Sequence, residues 1–385
     1  MNGSFRIGSL FGIPIRIHWT FLVIIPFFAW IIGSQIGPTT DLIAGFYNTL
    51  LSSAHPVVVD TSIITDGWMP YILGTVIALG LFGGVLVHEI AHSLVAMRNG
   101  IRINSITLLV FGGVSSIEDT TPDPVVELPM ALAGPVTSFL VGLVTSGLVY
   151  VADIAIQDRA VAGVYVFIFG YLGLLNIILF VFNMLPAFPM DGGRVLRALL
   201  ARRMPLVRAT RIAANVGRVF AVIFGIVGLL LFNPILILIA FFIYLGAGQE
   251  ANAAKYSYLL RDVTLGDMMS RPVDTVPPNQ PVREVVTRMY STKHLGFPVV
   301  DRGVLVGMIT VADVQALAPL DREAMQVRDI MTREVTTLPP TAPVMEALRI
   351  MSARNIGRIP VVQGGELVGI VTRTDILKVI ELRGI

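Results

Sequence analysis

Gly83-Gly84-Val85-Leu86-Val87-His88-Glu89-Ile90-Ala91-His92 sets two histidines four residues apart, with a glutamate beside the first. On a helix, residues i and i+4 leave one face one turn apart, so both imidazoles can reach a single tetrahedral zinc. Glu89 stands where a carboxylate can take a proton from an attacking water. The surroundings decide the fold. From Met69 to Ala96 the sequence is almost wholly apolar, long enough to cross a bilayer core of about 30 Å. Ionisable groups in such a segment are costly unless satisfied, and they mark function by default. The plain alternative is a helix whose polar residues only bond to neighbouring helices. The chemistry of the spacing and its matching context outweigh it.

The whole chain supports a membrane reading. Of 385 residues, 54% are hydrophobic and 14% charged, and mean hydropathy is +0.77. Soluble chains carry about 25% charge, so this is a membrane protein. A net charge of +2 is too small to argue for nucleic acid, and none is expected as a partner. There is no cysteine, so disulfides, thiolate ligands and a cysteine nucleophile are excluded. A bound zinc would have to be held by His and carboxylate. Long apolar runs fill residues 1–250, and a linker over 251–265 leads to a part with the mixed charge, proline and short apolar runs of a soluble domain.

About six spans are expected: Ile17 to Gly33, Met69 to Met97, Leu128 to Val151, Ala162 to Phe182, Ile212 to Phe232 and Pro234 to Leu245. The first is retained and not a cleaved leader, because no small-residue cleavage site follows it. Residues 101–118 alternate β-formers around Gly112-Gly113 and predict a short hairpin or a strand loop that dips into the membrane. Arg6, Arg16, Arg98, Arg102 and the six arginines between 194 and 211 fall on one side of a six-span chain. The segment 34–68, read as a loop, has no Lys or Arg and falls on the other side. The positive-inside rule makes this a multi-pass protein of the cell membrane, with its N-terminus and C-terminal domain cytoplasmic. His92 is six residues, about 9 Å of helix rise, before Arg98, which places the histidines in the cytoplasmic half of their span.

A catalytic zinc usually has three protein ligands. The acidic candidate is Asp191, where the fourth span ends in a Pro- and Gly-rich break. It could point back toward the histidines, or serve as the N-cap of a following helix. The two motifs together, H-E-x-x-H in a span and Phe182-Asn183-Met184-Leu185-Pro186-Ala187-Phe188-Pro189-Met190-Asp191-Gly192-Gly193-Arg194 after a later one, resemble the site-2 protease family of intramembrane zinc metalloproteases. Gly134-Pro135 matches a further feature of it, and the resemblance covers residues 1–250. It implies that His88, His92 and Asp191 bind Zn2+, with Glu89 as general base. It further implies that Asn183 helps hold the substrate or its oxyanion, and that Gly112 and Gly113 belong to a membrane-embedded hairpin offering an edge to an unwound substrate. His18 resembles the family's first-span opening, and an interfacial His-Trp anchor with Trp19 is its simpler role.

The soluble part is an internal repeat with an offset of 62 residues. Asp267-Met268-Met269 recurs as Asp329-Ile330-Met331, and Phe297-Pro298-Val299-Val300 as Ile359-Pro360-Val361-Val362. Each unit, 266–320 and 328–385, reads as strand, helix, strand, strand, helix, so two similar α/β modules pack together. The units resemble a tandem cystathionine-β-synthase (CBS) pair. Gly307-x-x-Thr310-x-x-Asp313 and Gly369-x-x-Thr372-x-x-Asp375 match that family's nucleotide signature. An Asp can take both ribose hydroxyls, and a Thr at a helix start can meet phosphate. The implied ligands are ATP, ADP or AMP; a purely structural dimerisation module is the alternative. The expected activity is cleavage of membrane-spanning segments, regulated by nucleotide, with a substrate helix and the lipid bilayer as partners and a homodimer through the soluble pair. A CBS-regulated ion transporter and an inactive scaffold that binds membrane helices are the rival readings.

Overall fold

The computed structural model describes residues 3–51, 57, 59–109, 112–117 and 123–383. It divides into two compact units, Met1–Asn252 and Ala253–Ile385.

The first unit opens with a departure from expectation. Strands β1 (Ser4–Leu10) and β2 (Ile13–His18) form a hairpin. Its two-residue turn, Phe11-Gly12, has φ of 52° and 81°, the twist that suits a tight hairpin. Ile17 and His18 therefore belong to a strand and not to the first span. The reason is legible in Ile13-Pro14-Ile15-Arg16-Ile17: alternation with period two, Ile13 and Ile15 buried and Arg16 exposed. Helix α1 (Phe21–Ser34) has only 14 residues, about 21 Å, too short to cross alone. It bends by 76° into α2 (Ile36–Leu51), so much of the expected 34–68 loop is helix.

Helix α3 (Met69–Arg98) carries the H-E-x-x-H. Then come β3 (Ile103–Leu109) and β4 (Gly112–Ile117), an antiparallel pair; residues 110 and 111 between them lie outside the described residues. β3 also pairs in parallel with β2, so the expected hairpin is half of a four-stranded sheet of order β1-β2-β3-β4. The sheet packs on α3 through Ile13, Ile15 and Ile106 against Leu86, Ile90 and Leu94, an i, i+4, i+8 stripe.

Helix α4 (Pro124–Ala155) starts where the Asp123 carboxylate accepts from the Val125 amide, and α5 (Arg159–Asn183) where Asp158 accepts from Ala160 and Val161. After the Met184–Met190 break come α6 (Asp191–Ala201), α7 (Leu206–Leu230) and α8 (Pro234–Leu259). Helices α3, α4, α5, α7 and α8 are each long and apolar enough to cross a bilayer, and the bent α1–α2 pair would make six. Helix α8 runs through residues 251–259 of the expected linker.

In the second unit, α9 (Leu265–Met268), α10 (Val282–Thr292), β5 (Gly296–Asp301), β6 (Val304–Thr310) and α11 (Val311–Gln315) form the first repeat, and α12 (Pro319–Ala324) joins it to the next. The second repeat is α13 (Val327–Ile330), α14 (Val344–Ala353), β7 (Arg358–Gln363), β8 (Glu366–Thr372) and α15 (Arg373–Arg383). The strand expected at the head of each repeat is a single parallel bridge, Val276 to Val299 and Leu338 to Val361. The sheet order is β5-β6-β8-β7, with the repeats meeting at Val304 and Glu366. Their leading segments are exchanged. Leu265 and Met269 are buried with the second repeat's core, whereas Val327, Ile330 and Met331 pack with the first's.

Candidate metal centre

Helix geometry brings the imidazoles of His88 and His92 together, with Nε2 atoms 3.1 Å apart. Asp191, the first residue of α6, directs Oδ2 to within 3.2 Å of His88 Nε2 and 3.1 Å of His92 Nε2. The N-cap position belongs to Met190, so the Asp191 carboxylate is turned to the histidines and not to capping. Three ligand atoms from residues 103 positions apart face one point, all within 4.8 Å of one another. Gly192 and Gly193 make this placement possible. A Cβ at Gly192 would sit 2.2 Å from the Leu185 carbonyl oxygen, and one at Gly193 2.5 Å from the Ala187 carbonyl carbon.

The far side of each imidazole is also committed. His92 Nδ1 lies 2.6 Å from the Met130 carbonyl oxygen, which can only accept. Nδ1 therefore carries a proton, and in the neutral ring this leaves the Nε2 lone pair for the centre, the tautomer a metal needs. His88 Nδ1 lies 2.9 Å from Ser138 Oγ, a hydroxyl buried in α4. Gly134, between Met130 and Ser138, lets α4 approach: a Cβ there would be 2.2 Å from His92 Nε2 and 2.6 Å from His88 Nε2. Two imidazoles backed by α4 and a carboxylate fit the borderline-soft Zn2+ ion and leave a coordination position for water or substrate.

Glu89 belongs to a different contact. Its Oε2 accepts from Ser115 Oγ of β4 at 2.8 Å, and Ser115 Oγ is 3.3 Å from Ser93 Oγ. Gly113 gives Glu89 room, since a Cβ there would be 2.4 Å from Glu89 Cγ. Gly112 begins β4 with φ 128°. A cavity of about 380 Å³ joins these groups: His88, Glu89, His92, Gly112, Gly113, Ser115, Asn183, Asp191 and Arg194 all line it. Asn183 Nδ2 donates back to Leu179 O of its own helix at 3.0 Å. Sequence reasoning missed Ser138, Ser115 and the Met130 carbonyl. A serine in an apolar helix is a faint signal, and a backbone carbonyl gives none.

The CBS-type residues lie in the second unit. Asp313 Oδ2 accepts from the Thr310 amide and hydroxyl, both at 2.7 Å, and Asp375 Oδ2 from those of Thr372 at 3.0 and 2.7 Å. Each Thr-Asp pair thus ties down the start of a helix.

A His-His-Asp centre whose histidines sit on a helix long enough to cross a bilayer, with a carboxylate beside it, has the make-up of an intramembrane metallopeptidase. Comparison with known proteins agrees. The model of Peptidase family M50 matches residues 76–153 and 145–224, and that of the CBS domain matches 265–318 and 327–382. The chain is 33% identical over 382 residues to zinc metalloprotease MJ0392 of Methanocaldococcus jannaschii, covering 99% of this chain and 97% of that one. A solved site-2 protease from the same organism is 34% identical, covering 64% of this chain and 95% of its own, with a TM-score of 0.41. The chain belongs to the M50, or site-2 protease, family, and is a multi-pass intramembrane metalloprotease carrying a tandem CBS pair.

Proposed function

We propose that this enzyme cleaves membrane-spanning segments of other membrane proteins at the His88, His92 and Asp191 centre. The observation that carries the assignment is the convergence of three ligand atoms with His92 Nδ1 already committed behind. When bound, zinc supplies Lewis acidity, polarising the scissile carbonyl and making water nucleophilic at neutral pH. Glu89 takes the proton from the attacking water as the O–C bond forms. It returns that proton to the amine as the C–N bond breaks, leaving a new carboxylate and a new amino group. Asn183, on the cavity wall, offers its amide to the substrate or to the developing oxyanion.

A helical substrate hides its carbonyls in i to i−4 bonds and must unwind before it can react. In the sheet order β4 is an edge strand beside Glu89, and the Gly112-Gly113 end gives an unwound segment close access to it. The arginine pattern supports a site in the cytoplasmic half of the membrane, with the N-terminus and CBS pair on that side. Cleavage there would release a cytoplasmic fragment. The CBS pair is proposed to bind ATP, ADP or AMP through Thr310, Asp313, Thr372 and Asp375, to regulate cleavage, and to join two chains.

The experiment that tests the centre is zinc per purified chain, wild type against Asp191→Ala. About one zinc, largely lost in the variant, is expected. Zinc fully retained in Asp191→Ala would remove Asp191 from the ligands, and none in gently purified wild type would overturn the assignment.

A further inference from the structure

One face of α4 backs both imidazoles of the centre. Met130, Gly134 and Ser138 follow each other at helical spacing and meet His92, both imidazoles and His88 respectively. One turn before Met130 on the same face is Glu127, buried to 1% exposure. Its carboxylate pairs with Arg197, whose Nε donates to Glu127 Oε1 at 2.8 Å and whose Nη2 contacts the same oxygen. Arg197 lies on α6, six residues beyond Asp191. Its guanidinium also rests 4.9 Å from the centre of the Phe188 ring, three residues before Asp191, and Nη1 is 3.6 Å from Glu250 of α8.

We propose that Arg197 is a positioning residue for the metal centre, tying the Asp191 helix to α4, the helix whose Met130 carbonyl and Ser138 hydroxyl orient both histidines of α3. The inference rests on the reading that His88, His92 and Asp191 bind zinc. Two ligands are oriented by α4 directly, and the third comes from a separate short helix that starts after the irregular Met184–Met190 segment. Without a tie between α4 and α6, the carboxylate would depend on α6 packing alone. The planar guanidinium suits this task because it presents several donors in a fixed fork while stacking on a ring. A charge as deeply buried as Glu127 needs its partner, so the pair fixes the distance between the helices as well as joining them.

The test uses full-length protein and reads the metal directly. Zinc affinity is measured by chelator competition, and ligand geometry by the visible absorption of the Co2+-substituted protein. The principal variant is Glu127→Gln with Arg197→Met, which removes both buried charges together. Folding is checked by size-exclusion profile and thermal transition. The expected result is a folded protein whose zinc binding is 10–100-fold weaker, on the order seen for lost outer partners of metal ligands, with an altered Co2+ spectrum. A folded double variant with wild-type affinity and spectrum would overturn the proposal. If that variant does not fold, Arg197→Lys decides, since it keeps a charge opposite Glu127 and loses the fork and the stacking. Several-fold weaker zinc at an unchanged thermal transition supports the tie, and unchanged zinc rejects it. Failure of the wild type to bind either metal would instead sink the underlying zinc assignment.

Discussion

The division of labour between Glu89 and its neighbours is set by single atoms. His88 and His92 have their Nδ1 atoms engaged by α4, and their Nε2 atoms share one point with Asp191. Glu89 is adjacent in sequence to His88, yet its carboxylate accepts from Ser115 of the sheet and lines the cavity without joining that point. On the roles proposed for these residues, metal binding and proton transfer are separable by substitution. Glu89→Gln keeps the shape and the Ser115 contact but cannot accept a proton. Cleavage of a reconstituted membrane-spanning substrate should fall by about 10² to 10⁴, the usual contribution of a general base, while zinc content stays at the wild-type level. Cleavage at the wild-type rate would remove Glu89 from the mechanism. His88, Glu89 and His92 stood out in the sequence, because their types and spacing have few other uses in an apolar helix, whereas Asp191 by residue type alone fitted a helix cap as well as a ligand. Their supporting partners were not. Ser138 is 50 residues from His88 and Ser115 is 26 from Glu89, and only the packing of helices and sheet makes them neighbours.

Among the elements, the long helices were the easier to read, since 25 or more mostly apolar residues leave few alternatives in a membrane protein. The N-terminal sheet was hidden by the same apolarity. Ile13, Ile15 and Ile17 run into Phe21-Leu22-Val23, so a period-two strand and a helix merge into one hydrophobic stretch unless the alternating Arg16 and His18 are weighed. The β3–β4 pair was visible from its own alternation, but its pairing with β2 was not, because a parallel partner lies a whole crossover away. With Glu89 as the proposed base, this sheet bears on catalysis, because β4 bonds Glu89 through the Ser115 hydroxyl and leaves it room at Gly113. Gly113→Val puts a branched side chain where even a Cβ would lie 2.4 Å from Glu89 Cγ. Either β4 moves outward or Glu89 swings from its place, and both spoil the alignment of base and substrate edge. Cleavage should drop by at least about tenfold, since small misplacements of reacting groups can cost about 10²-fold. Zinc should remain, because neither His88, His92 nor Asp191 is among the near contacts of Gly113. Zinc loss in step with activity would mean that β4 holds the metal ligands as well as the base.

Taken as a whole, the molecule joins a catalytic membrane unit to a repeat whose period was plain in the sequence but whose exchange of leading segments was not. Met269 packs on Gly369 and Met331 on Gly307, so each repeat's core is completed from the other and the pair has to fold together. A repeat offset reveals similarity, and it says nothing of which copy an end packs against. The same exchange bears on the nucleotide question. Within the second unit the Thr-x-x-Asp pattern occurs three times, and each time the Asp carboxylate accepts from the Thr amide and hydroxyl: Thr264 with Asp267, Thr310 with Asp313, and Thr372 with Asp375. Capping alone would account for all three. Only the latter two follow a strand, β6 and β8, within the G-x-x-T-x-x-D context. In both, the bonds to Thr are made by Oδ2, and Oδ1 is left to accept from a ribose hydroxyl. Asp267 is thus an internal control for the cost of losing a cap. Asp313→Asn with Asp375→Asn should weaken adenine nucleotide binding about 10- to 100-fold, the scale of a lost hydrogen bond to a charged group, and should abolish any effect of nucleotide on cleavage. Asp267→Asn should leave both intact. Calorimetry of the three proteins with AMP, ADP and ATP decides between the roles. Equal weakening by Asp267→Asn would assign the carboxylates to helix starts alone, and no binding by the wild type would leave the pair as a structural module joining two chains.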